Sequence, residues 1–257
     1  MTNVTKVLSR ILLPASGFAL LLAAWYVVAF VDVLPEGQMP RPDEVLTVLV
    51  DRFREQDLWR DIQLSVLRVL IGVAVGCAVA LPVGFLLAWY RTLRMMFDPV
   101  ISFFRALPPI ALIPLVIVYL GIAEQARLSI LIYAAFFASV VVIYEGIAGL
   151  DEIYIRAARA MGASQWELFS RVVVPLAIPQ VLVGVRVALG VCWATLVAAE
   201  LIAARRGLGA TIQDAANFFQ IDMVYGGVIL IGVCALVMDR GLALVMKRAV
   251  RWQERVA

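Results

Sequence analysis

Runs of about 20 apolar residues recur along this chain, and they constrain its fold more than any other feature. Wound as helix at ~1.5 Å per residue, such a run crosses a hydrocarbon core ~30 Å thick. The hydrocarbon core offers backbone N–H and C=O groups no water, and a helix satisfies them within one segment. Composition agrees: of 257 residues, 63% are hydrophobic and only 16% charged, with a mean hydropathy of +0.95. Soluble domains carry ~25% charged residues. The runs are Ile11–Val31, about Leu64–Tyr90, a proline-broken segment from Asp98-Pro99, Leu128–Tyr144, about Val174–Ile202 and Met223 to about Met246. The expected fold is an all-α integral membrane protein of about six transmembrane helices. Residues 1–61 read as a tail, first span and amphipathic segment, and 62–257 as a core with a polar helical loop at 150–171.

The segments between the runs refine this reading. The first run is long for a signal peptide, and no A-x-A-like cleavage site follows Phe30. Residues 32–61 are acid-rich, and Pro35, Pro40 and Pro42 block regular helix early in the segment. Val45, Val48, Leu49 and Phe53 then follow a helical spacing, which predicts an interfacial helix over Asp43–Gln56. In the second span Gly72, Gly76, Ala80 and Gly84 recur every fourth residue, a small-residue stripe that lets another helix approach closely. Pro108, Pro109 and Pro114 break the third segment, and broken helices persist in membranes where protein or a water-filled cavity covers them. Basic residues set the orientation. Lys6, Arg10, Arg91, Arg94, Arg156, Arg159, Arg171, Arg240, Lys247, Arg248, Arg251 and Arg255 fall on the side expected to be cytoplasmic, with both termini there.

Several functions are excluded or disfavoured. The chain has no histidine, the usual general base, proton relay and metal ligand. Cys77, Cys192 and Cys234 match no zinc or disulfide spacing. No G-x-x-x-x-G-K-[ST] phosphate loop occurs, so any use of ATP requires a separate chain. The net charge of +3 includes no basic, aromatic-interleaved face for nucleic acid. No catalytic and no metal-ligating residue is assigned.

One polar stretch, Arg156–Pro179 (RAARAMGASQWELFSRVVVPLAIP), is built unlike the rest. Ala157, Ala158, Ala160 and Met161 favour helix, and Gly162 ends it or turns the chain. Ser164 and Glu167 form an S-x-x-E capping box for a second short helix, with Trp166, Leu168 and Phe169 on its apolar side. Pro175 and Pro179 introduce the next run. Such a helix–turn–helix suits docking onto another protein.

Ala157-Ala158, Gly162 and Ile178-Pro179 resemble the "EAA" loop of binding-protein-dependent ABC importer permeases, with Arg156 where that pattern has Glu. Further motifs resemble the nitrate/sulfonate/taurine branch of that family. They are Met39–Val45, the S-x-x-R at Ser65 and Arg68, and Arg105–Leu115 against R-x-x-P-P-x-A-x-x-P-L. Gly121–Glu124, Gly184–Gly190 and the A-A-E-L-I-A-A-x-x-G-L-G of 198–209 follow, the last most like taurine permeases. The resemblance implies a type I, MetI-like permease fold in the bacterial inner membrane. It implies a homodimer working with two ABC ATPase subunits and a periplasmic or lipid-anchored substrate-binding protein, surrounded by membrane lipid. ATP and Mg would belong to the ATPase, and this chain would bind no cofactor. Arg156, Ala157, Ala158, Gly162, Ala163, Ser164, Trp166 and Phe169 would couple to the ATPase, with a coupling helix at about Ala163–Phe169. Taurine or another alkanesulfonate leads as solute; nitrate, bicarbonate, aromatic carboxylates and vitamin precursors share the scaffold. An ion-coupled secondary carrier and a structural or scaffold membrane protein are the other classes.

Charged residues in or near spans are costly and face protein or water. Arg105, Pro108, Pro109, Phe136, Arg186 and Glu200 are candidates for a translocation path. Arg105 and Arg186 either favour an anion there, or pair with Glu200 or broken-helix carbonyls, or reach an interface. Phe136 and Phe137 line a pore or pack. The resemblance makes Gly207-Leu-Gly209 the outer-loop G-L-G of this branch, a tight re-entrant turn near the dimer axis. Asp239-Arg240 reads as a proton relay or as an interfacial pair at a helix end.

Overall fold

The computed structural model describes residues 3–31, 39–55 and 57–250, with side chains at 16–31, 39–55, 57–201 and 204–250. Pro35, Arg251 and Arg255 lie outside the described residues, as do the side chains of Lys6 and Arg10. In chain order the helices are α1 (Asn3–Phe30), α2 (Pro42–Arg54), α3 (Asp57–Trp89), α4 (Arg91–Ala106), α5 (Pro109–Leu120), α6 (Glu124–Ala148) and α7 (Glu152–Ala160). A short α8 (Gln165–Glu167) passes through wider π-turns at Leu168–Val173 into α9 (Val174–Ala203). Next come α10 (Leu208–Asn217) and α11 (Ile221–Ala249). Among the described residues there is no strand. Two compact units form, Met1–Arg60 with Thr211–Leu230, and Asp61–Ala210 with Ile231–Ala257.

Among the described residues four helices are long and apolar enough to cross a membrane, five if the bent α4–α5 pair counts as one span. Ser16–Phe30, the described side chains of the 28-residue α1, is also apolar, and with α1 the count agrees with the six or so spans expected. Two expectations shift. The fourth span is longer at both ends than Leu128–Tyr144. Residues 203–222, expected as loop, contain α10. Pro175 stands at the start of α9, as expected. It has no N–H for the Arg171 carbonyl, and the helix widens there, with Val174 N–H reaching back to Phe169 O.

In the larger unit α6 is the axis of packing and the most buried span. The small-residue stripe of α3 lies on it. A Cβ at Gly76 would sit 2.5 Å from Ala135 Cβ and 2.8 Å from the Ile132 carbonyl oxygen, and one at Gly84 2.6 Å from Ile143. Any side chain there would force the helices apart. From the other direction Gly184 of α9 approaches the Ser139 carbonyl of α6. Between these contacts Ala80, Val140, Val141, Ile143, Tyr144, Val173 and Ala177 belong to one buried cluster.

The break in the third segment is physical. α4 and α5 meet at 89°. Pro108 lacks the N–H that would have paired with Phe104 O, and Pro109 begins α5, where a missing N–H costs nothing. The Phe104 carbonyl keeps a 3.3 Å bond from Leu107 N–H and gains one from α6, where Tyr133 Oη donates to it at 2.5 Å. The rings of Phe104, Phe137 and Tyr133 pack around the joint. Tyr133→Phe is therefore expected to cost about 1 kcal/mol and lower the thermal midpoint of the purified protein by a few degrees. An unchanged midpoint would show that the joint does not depend on this bond.

In the smaller unit α2 is amphipathic, as expected, with Val45 and Leu49 buried. Leu49 lies so close to Gly226 that a Cβ there would come within 2.9 Å. Trp25 of α1 stacks on Tyr225 and donates its indole N–H to Pro40 O at 3.1 Å.

Candidate functional site

Three places carry the polar chemistry, all in the larger unit. The first is the α7–α8 loop. Asp151 caps α7 by accepting from Ile153 N–H at 2.9 Å. Gly162, at φ 85°, ends the helix with a left-handed turn, and Ala163 N–H returns to Ala158 O at 3.1 Å. The S-x-x-E capping box forms: Ser164 Oγ accepts from Glu167 N–H, and the Glu167 carboxylate accepts from Ser164 N–H. Ala158 and Leu168 are buried, and Phe169 packs edge-on against Phe85 and Trp89 of α3. Facing outward are Ile153, Tyr154, Ala157, Met161 and Trp166, the last two 81% and 73% exposed. Arg156 is exposed and paired with Glu152, one turn back. The result is a rigidly capped loop that presents an apolar row.

At the far end of the spans, α3, α6 and α9 meet around a buried Glu200. Its carboxylate accepts from Arg68 Nη1 at 2.6 Å, from the Ser65 hydroxyl and from Gly209 N–H at 2.8 Å. Arg68 also grips Glu124 with two bonds, Nε at 2.5 Å and Nη2 at 2.9 Å, and donates to Arg206 O. Glu124 further accepts from Arg127. Two arginines thus balance two glutamates. The N–H groups opening α10 complete the cluster, Gly207 to Asp61 and Leu208 to Ser65. Only glycine fits at 207. Its φ is 132°, and a Cβ would meet the Glu200 carboxylate at 2.5 Å. The G-L-G motif is the lid of a carboxylate cradle.

Pairing with Glu200 is one of the alternatives open to Arg105 and Arg186; in the structure Glu200 pairs with Arg68. Arg105 stands exposed in the last turn of α4, where a cation complements the helix end. Pro108 and Pro109 form the joint, and Phe136 is half-buried against Phe137 and the buried cluster of Ile143. Arg186 pairs with Asp239 of α11, Nε to Oδ1 at 2.6 Å and Nη2 to Oδ2 at 2.7 Å. Asp239 is thus the partner of a residue 53 positions earlier rather than a helix-end group beside Arg240. Asp61, Arg127, Tyr133 and the pairing of Asp239 were not foreseen. One sequence signal did point to the cluster: Arg68 and two acids, Glu124 and Glu200, all stand near span ends on the same side.

The profile of the "Binding-protein-dependent transport system inner membrane component" family matches residues 80–251. The chain belongs to that family. A probable ABC transporter permease protein of Brucella abortus is 42% identical over 93% of this chain and 94% of its own length. The taurine transport system permease protein TauC of Escherichia coli is 35% identical over 96% of this chain and 92% of its own. In fold the permease is similar to a chain of the inward-facing MetNI methionine ABC transporter, with TM-score 0.59 and 21% identity over 74% of this chain and 97% of that one. The permease is MetI-like and of the nitrate/sulfonate/taurine group.

Proposed function

We propose that this permease imports a small sulfonate, taurine or another alkanesulfonate, by ATP-driven alternating access. The solute class is supported by the whole-length similarity to a taurine permease and by the 198–209 motif. The assembly has two copies of this chain, two ATPase subunits holding ATP and Mg, and a substrate-binding protein on the outer face of the inner membrane. The chain itself does no chemistry. Both termini and the α7–α8 loop face the cytoplasm.

One observation carries the mechanism: Trp166, at the end of the loop's outward apolar row, sits on α8, which runs through the π-turns into α9 without a break. Met161 and Trp166 fit an ATPase groove. Closure of the ATPase dimer would push α8, and the unbroken helix would pass that displacement along α9 into the span. The π-turns at Leu168–Val173 keep the backbone connected past Pro175. Arg105 at the α4–α5 joint, with Pro108 and Pro109, borders the path.

Reconstitution tests this. Proteoliposomes holding the permease with its ATPase are expected to take up taurine only with internal ATP and external binding protein. Uptake without the ATPase, driven by an ion gradient, would overturn the proposal in favour of a secondary carrier.

A further inference from the structure

The Arg186–Asp239 pair lies deep in the spans, and its exposure is unusual. Arg186 is twelve residues past the start of α9 at Val174, and Asp239 ten before the end of α11 at Ala249. At ~1.5 Å per residue both stand roughly 15–18 Å from those helix ends, close to half of a ~30 Å core. Yet the Arg186 side chain is 50% exposed and that of Asp239 31%. Acyl chains are a costly neighbour for such a pair, whereas a water-filled path is not. Val183 and Val187 on α9 and Val233, Leu236 and Val237 on α11 are also exposed. Gly190 and Gly232 leave open space beside them.

The bonding geometry adds a second point. Asp239 occupies the Nε–Nη2 edge of the guanidinium. The other fork, Nη1 with the second hydrogen of Nη2, remains available for a planar or tetrahedral oxyanion. Asp239 keeps unused lone pairs on both carboxylate oxygens. The pair is neutral overall, so a simple anion approaching Arg186 meets the repulsion of Asp239 a few ångströms away. A zwitterion meets attraction at both ends.

Resting on the importer reading above, we infer that Arg186 and Asp239 form a permease subsite for a small zwitterion. Its sulfonate or carboxylate is held by Arg186 and its ammonium by Asp239. The chemistry therefore favours an aminoalkanesulfonate such as taurine over an alkanesulfonate lacking the amine. Asp239 also aims the guanidinium, so removing it affects orientation as well as charge.

The test compares ATP-driven uptake of taurine and of ethanesulfonate, the same skeleton without the ammonium, at saturating substrate. The same binding protein serves every variant, so a change in their ratio belongs to this chain. Asp239→Asn is expected to lower the taurine-to-ethanesulfonate ratio about tenfold, and Arg186→Gln to depress both solutes. An unchanged ratio in Asp239→Asn with uptake intact would make the pair a helix clamp and overturn this inference alone. Failure of wild-type uptake to depend on ATP would overturn the importer reading, and the inference with it. Should the variant not assemble, thermal protection of the wild-type permease–ATPase complex decides. Taurine alone should protect it, and equal or absent protection by both solutes would refute the subsite.

Discussion

Arg68→Met is expected to leave little folded permease in the membrane. Arg68 and Glu200 have side chains only 6% and 1% exposed, so each depends on the other for its charge. Removing the cation leaves a buried carboxylate whose remaining donors are Ser65 and Gly209, and takes two bonds from Glu124, which keeps Arg127, and one from the Arg206 carbonyl. Breaking a buried pair from one side costs about 3–5 kcal/mol. That is a large share of the ~5–15 kcal/mol that holds a typical domain together. The double variant Arg68→Met with Glu200→Met removes both charges, and should recover part of the loss because no lone ion stays buried. Folded protein recovered by size-exclusion chromatography in detergent measures this. Equal yields of Arg68→Met and wild type would show that the cluster does not hold α3, α6 and α9 together.

Trp166→Asp is expected to have the opposite profile, with normal insertion and lost assembly. Trp166 is largely exposed, and its backbone is held by the Ser164–Glu167 box rather than by its own packing. Its replacement therefore disturbs folding little. At a helix-in-groove interface an aromatic anchor carries a disproportionate share of the affinity, often 2 kcal/mol or more. Its loss would weaken ATPase retention by about 30-fold on that scale. Co-purification of the ATPase with tagged permease, normalised to membrane-inserted chain, reads the effect. Normal retention and normal uptake together would remove the α7–α8 loop from the coupling role.

These two variants also mark where the sequence was legible. The capping box at Ser164–Glu167, the turn at Gly162 and the α3 glycine stripe are local patterns, each readable from residue spacing and each formed in the fold. The charge pairs were harder. Arg186 and Asp239 are 53 residues apart, and Arg68 and Glu200 are 132 apart. Spacing along the chain says nothing about which of several acids an arginine will meet. The sequence leaves the partner of Glu200 open for that reason, since Arg68, Arg105 and Arg186 all stand in or near spans.

By itself the sequence determined that the chain is helical and membrane-embedded, because long apolar runs can satisfy their backbone in lipid in only a few ways. It determined the permease family as well, through motifs spread from Met39 to Gly209 in order. Only the tertiary structure decided how the charges pair. It put Glu200 under a glycine lid at the head of α10, Tyr133 on the Phe104 carbonyl, and Asp239 against Arg186. A buried or mid-span charge takes the partner that helix packing brings within about 3 Å, and that packing is a property of the assembled helices rather than of any one segment.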